Sequence, residues 1–91
     1  GITGSKLKVS PNPVRPDYYG PISIKGLPPG ADLKIISVSG QVVASGKSDT
    51  GSFEWNGLDR SGRRPSSGVY TIVLTDSGGK HAASGQITIL R

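Results

Sequence analysis

The chain has no cysteine and no methionine, and a single histidine, tryptophan and phenylalanine. Without cysteine neither a disulfide framework nor a thiolate metal site can form, so stability must come from the core alone, and the compartment stays open. The lone histidine, His81, follows Gly79 and Lys80. It has no cysteine to activate and no second histidine to share a metal, and is expected as a solvated loop residue. The serines lack a strand-to-helix elbow and a positioned base, so catalysis is not expected, and no cofactor or metal is called for. Long apolar runs are missing too. No segment approaches the roughly 20 apolar residues of a membrane-spanning helix, and none resembles an amino-terminal signal peptide. The expectation is a soluble module without a transmembrane segment, whose export signal lies upstream or is the domain itself.

What remains is a polar chain of 91 residues in which 33% are aliphatic or aromatic, with 14 glycines and seven prolines. That length holds one domain, and a sandwich of about seven strands fits it. Glycine and proline punctuate short apolar runs without repeating, as in a turn-rich β domain. Leu7 and Val9 alternate with lysines in an edge strand that Pro11, Asn12 and Pro13 terminate. Ile22 and Ile24 form a second strand, ended by the turn at Pro28, Pro29 and Gly30. Leu33, Ile35, Ile36 and Val38 form a third whose alternation slips by one residue, which predicts a bulge or burial on both faces. Ser39 and Gly40 separate it from Val42, Val43 and Ala44, a hairpin signal. Phe53 and Trp55 share one face, and a long loop from Asn56 to Gly68 follows. Tyr70, Ile72 and Leu74 alternate with Val69, Thr71 and Val73, Ser77 to Gly79 turn the chain, and Gln86 to Leu90 supply the last strand. The fold class is all-β, an immunoglobulin-like antiparallel sandwich over residues 6–91. Residues 1–5 read as a linker or an expression remnant.

Three blocks carry a family resemblance. Trp55, Asn56, Gly57, Leu58, Asp59, Arg60, Ser61 and Gly62, followed by Ser67, Gly68, Val69 and Tyr70, form the first. Pro11-Asn12-Pro13 forms the second, and the run from Ile35 to Val43 the third. Together they resemble the carboxyl-terminal sorting domains of the type IX bacterial secretion system, which are related to the immunoglobulin-like domain of the flagellar hook-capping protein. The match spans about residues 7–91. Asn56 and Ser37 stand where aspartate is commoner, and Pro65 where valine often sits. The resemblance implies an address read in the periplasm by outer-membrane export machinery. A sortase then often removes such a domain and attaches the cargo to anionic lipopolysaccharide at the cell surface, whereas some members keep it as part of the machinery. Ile87, Thr88, Ile89, Leu90 and Arg91 are the expected recognition segment, and any cut is expected before Leu7.

Within the motif, Trp55 and Tyr70 are expected to fill the core while Gly57, Gly62 and Gly68 shape the loop. Glu54, Asn56, Asp59 and Ser61 offer oxygen ligands, but the regular spacing of a calcium loop is missing, and turn stabilisation is the reading. The net charge is +5. Arg60, Arg63 and Arg64 fall together in the long loop, where two readings stay open. They keep a solvated loop from aggregating, or they dock an acidic protein or a phosphate-bearing glycan. Nucleic acid is not the expected partner, because the five aromatics (one Trp, three Tyr, one Phe) fall mostly where a core needs them. The alternative to the export reading is a passive spacer or adhesive module attached to a larger extracellular or propeller protein.

Overall fold

In a computed structural model the chain is described over residues 7–48, 50–76 and 78–91, with 81–84 as backbone only. The proposed linker at residues 1–5 therefore lies outside the described residues. Seven strands follow in order: β1 (Lys8–Ser10), β2 (Ile22–Lys25), β3 (Asp32–Ile36), β4 (Val42–Lys47), β5 (Ser52–Trp55), β6 (Gly68–Thr75) and β7 (His81–Ile89). They form two sheets, β1-β2-β5 and β4-β3-β6-β7, in which neighbours pair antiparallel. Side chains alternate between the faces of a strand, so each apolar alternation in the sequence becomes one inward row. Ile22 and Ile24 from the first sheet meet Leu33, Ile35, Ile72, Leu74, Ile87 and Ile89 from the second in one core. Each such side chain taken from water contributes roughly 1.5–3 kcal/mol. Trp55 closes the core from β5. Tyr70 is buried on β6, and its hydroxyl donates to the Ser66 carbonyl oxygen at 2.7 Å, the corner that immunoglobulin-like sandwiches place before this strand.

The slip expected in the third strand is a register shift between Ile35 and Ile36 in the pairing of β3 with β4. Val38, assigned from sequence to that strand, is corrected to the tip of the hairpin turn, where it is 86% exposed. The strand stops at Ile36 because the turn closes early: Ser37 N–H donates to the Gln41 carbonyl and Gly40 N–H to that of Ser37. The last strand begins at His81, five residues before the expected Gln86, so the loop reading of His81 is also corrected. Its backbone pairs with Thr75 across a second register shift. The run His-Ala-Ala-Ser-Gly from 81 to 85 hid this segment, because it has no branched residue and no Phe, Tyr or Trp to mark a strand, and its pairing to β6 is carried by the main chain. At Gly46 a Cβ would collide with the ring of Phe53, which reaches across from β5 to close the gap between the sheets.

Candidate recognition surface

The Pro-Asn-Pro element does more than end β1. Proline has no amide, so only Asn12 and Val14 can bond outward here, and both are spent on β7. The Asn12 side chain donates Nδ2–H to the Gln86 carbonyl at 3.3 Å and accepts Thr88 N–H at Oδ1 at 3.0 Å. Val14 N–H then donates to the Thr88 carbonyl and Leu90 N–H to that of Val14, both at 2.8 Å. Asn12 acts as one unit of a short parallel strand, and Val14 and Ile89 form its bridge. Both X-Pro bonds of the element, Ser10–Pro11 and Asn12–Pro13, are cis. The edge of β7 from Gln86 to Leu90 is therefore occupied on both sides.

Arg91 continues the enclosure. Its N–H donates to Ser67 Oγ at 2.9 Å and its Nη1 to the Arg64 carbonyl at 3.1 Å. Arg64 in turn extends its guanidinium to the segment before β2, with Nη1 2.8 Å from the Pro16 oxygen and Nη2 3.2 Å from that of Tyr18. Residues 12–18, 64–67 and 86–91, remote in sequence, are thus joined in one ring of polar contacts at one end of the sandwich. Burial pushes the Tyr70 phenol above its ordinary value, an effect that Arg91 opposes and Asp59 adds to.

Of the expected recognition segment, Ile87 and Ile89 are core residues, Thr88 is half-buried, and Leu90 and Arg91 reach the surface. A partner meeting the folded domain reaches the side chains of Thr88, Leu90 and Arg91 only. The arginine trio is divided. Arg60 and Arg63 are exposed, whereas Arg64 is half-buried and turned towards Tyr19, with its guanidinium carbon 4.6 Å from the ring centroid. Arg64 therefore belongs to the ring of contacts and cannot be removed without touching the fold. No sequence signal distinguishes it from its neighbours, since its partners are main-chain oxygens 46 and 48 residues away.

The oxygen-bearing loop residues are engaged in turns. Asn56 Oδ1 accepts Leu58 N–H, and Asp59 Oδ1 accepts the amides of Ser61 and Arg63 and the Ser61 hydroxyl. The Arg63 amide, then the Ser61 hydroxyl and amide, hold the Asp59 carboxyl below its ordinary range. The indole N–H of Trp55 donates to the Leu58 carbonyl at 2.9 Å, so the loop is pinned to the core. Two concavities flank it. One, about 350 Å³, lies between β4 and β5 and is lined by Val43, Phe53, Trp55, Leu58 and Arg60. The other, about 270 Å³, lies between Tyr18, Tyr19, Ile22, Leu58 and Arg64. Tyr19, which sequence reasoning assigned no role, is 78% exposed at its rim.

No family model and no curated protein matches the chain. Among solved structures the chain is similar to PorZ of Porphyromonas gingivalis, described as an essential bacterial surface component of the type IX secretion system. The superposition has a TM-score of 0.84 with 29% identity, and covers 100% of this chain but 13% of PorZ. In sequence as well as fold, the chain is similar over its whole length to a small part of that surface component.

Proposed function

We propose that the chain is an immunoglobulin-like sorting and recognition domain of a type IX secretion protein at the bacterial surface. The carrying observation is the likeness to PorZ over the entire chain at 29% identity. The ring of contacts supports the reading, because it joins two of the three blocks that carry the sorting-domain resemblance, the Pro-Asn-Pro element and the Trp-to-Tyr loop, to the expected recognition segment in the last strand. PorZ is itself a component of the system, which favours a domain kept as a recognition part of the apparatus over one removed from cargo. The role is binding, without a catalytic step. Its partners are the outer-membrane export machinery and, in the cleaved version, a sortase that transfers cargo to anionic lipopolysaccharide.

The test is to fuse residues 6–91 to a periplasm-directed reporter in a strain with the machinery and follow protease accessibility of the reporter on intact cells. Surface delivery that disappears in a strain lacking the export channel supports a sorting domain. A reporter that stays periplasmic while the domain is folded rejects it and leaves a spacer. A fall in mass on delivery, with lipopolysaccharide gained, identifies the cleaved version.

A further inference from the structure

The cleft between Tyr18, Tyr19, Ile22, Leu58 and Arg64 is not used by the ring of contacts that builds its wall. It is about 270 Å³ in volume, and among its lining residues Arg64 carries the only charge. No carboxylate lines it. A guanidinium has five N–H donors, and the bonds to the Pro16 and Tyr18 carbonyls take two of them. Those bonds and the Tyr19 ring hold Arg64 in one place, so an incoming anion meets a cation whose side chain is already ordered. Apolar walls, an ordered cation and an exposed aromatic at the rim are the parts of a peptide-anchoring pocket. Gly20 and Gly57 complete the wall: the Tyr18 phenol packs over Gly20 where a Cβ would stand, and Ile22 lies against Gly57.

We infer that this cleft docks an extended peptide segment of a partner protein, in which an acidic side chain lies beside a leucine or proline. The aliphatic group fills the space between Tyr18, Ile22 and Leu58, and the carboxylate meets the free edge of the Arg64 guanidinium. The complementarity extends to the whole chain, whose net charge is +5. An adjoining hollow of about 250 Å³, lined by Pro11, Pro13, Arg15, Asp17 and Tyr18, continues the track beyond Tyr18. That hollow carries both an acid, Asp17, and a base, Arg15, whereas Arg64 is the one charge lining the cleft, so the acidic side chain of the segment is placed at Arg64. Docking here does not depend on the domain serving export, and the test uses the purified chain.

Trp55 is the one tryptophan of the chain, and its indole N–H is bonded to the carbonyl of Leu58, which lines the cleft. Its indole resonance is therefore a built-in reporter. The probes are a blocked Gly-Pro-Leu-Glu-Gly peptide and the same peptide with glutamine in place of glutamate. The acidic peptide is expected to shift the indole signal and the amides of Tyr19, Gly20 and Gly57 saturably. It should bind about tenfold more tightly than the glutamine peptide, the worth of one charge-assisted hydrogen bond. Tyr19→Ala, at an exposed position, should weaken binding roughly fivefold while lowering the melting temperature less than Arg64→Ser does, since it removes only the ring contact and keeps the two bonds to main-chain oxygens. Arg64→Lys, checked for folding in the same spectra, should narrow the preference for the acidic peptide. Equal binding of both peptides, wild-type binding by Tyr19→Ala, or no shift of these signals at millimolar peptide would overturn the inference. So would shifts at these residues caused by lipopolysaccharide vesicles but not by the peptide.

Discussion

Ser37, Asp59 and Asp76 hold the same position in three five-residue turns. In each, the first residue's N–H donates to the carbonyl four residues on, a glycine N–H three residues on returns to its carbonyl, and its side-chain oxygen accepts the amide of the fifth. The glycines, Gly40, Gly62 and Gly79, have φ of 89°, 84° and 84°, the left-handed values this turn requires. Serine caps its turn with a neutral oxygen, where the aspartates of the other two use a charged one. Ser37→Asp should therefore stabilise the domain by about 0.5–1 kcal/mol, read as a rise in the urea midpoint with unchanged slope. A fall in the midpoint would show that the Ser37–Ser39 hydroxyl contact of 2.9 Å matters more than the cap. Asp59 adds a pH dependence with a definite sign. Its folded-state pKa is lowered from 3.8, so its contribution is fully present above that unfolded value and is lost as pH falls through the lower folded value. A carboxylate NMR titration of Asp59 should give a midpoint below 3.8. A midpoint above it would contradict the three donors seen on Oδ1.

At the scale of elements, the outer edge of β7 and the Arg64 clamp decide how the end of the sandwich is held. Asn12→Ala removes two hydrogen bonds of the partial strand on that edge and leaves Val14 in place. A loss of about 1 kcal/mol is expected. Hydrogen exchange should accelerate at Thr88, whose amide bonds to Asn12, and much less at Ile87, which lies opposite Tyr70 in the β6–β7 ladder. Equal acceleration at both would mean that β7 loosens as a unit. The arginines divide along the same line. Arg60→Ser with Arg63→Ser should leave the melting temperature nearly unchanged, since exposed surface substitutions usually stay within about 0.5 kcal/mol. Arg64→Ser alone should cost roughly 1–3 kcal/mol, because it breaks two bonds to main-chain oxygens and the contact with Tyr19. The reverse ranking in thermal melts would place the clamp elsewhere. Removal of Ile89 to Arg91 is a poor test of an export address, because it takes Ile89 out of the core together with Arg91's bonds to Ser67 and the Arg64 carbonyl.

For the whole molecule, two sheets share one apolar layer with no covalent cross-link, and Trp55 is the largest side chain in it. It is 3% exposed and tied to the long loop through Leu58. Trp55→Ala would leave a cavity between the sheets and release the loop, at roughly 3–5 kcal/mol out of the 5–15 that a domain possesses. Chemical denaturation should show that loss, and a wild-type midpoint would remove Trp55 from the role of keystone. The same variant should disturb the Tyr19 cleft, since Leu58 forms part of its wall.

The strand positions, the inward rows and the sandwich class were legible in the chain because period-two alternation is a local property, set by the pleat and by which face meets water. The slip at Ile36, the hairpin at Gly40 and the burial of Trp55 and Tyr70 could be read in the same way. The start of β7 could not, because His-Ala-Ala-Ser-Gly has only small residues beside the histidine and leaves no alternation of large apolar groups. Nor could the roles of Asn12, Arg64 and Tyr19. Asn12 completes a strand with residues 74 and 76 positions away, Arg64 bonds to carbonyls that no side chain marks, and Tyr19 is exposed although its type suggests a core. Side-chain alternation is dictated by neighbours along the chain, whereas main-chain acceptors are the same at every residue. Only the tertiary structure therefore decided which of them Asn12 and Arg64 would find.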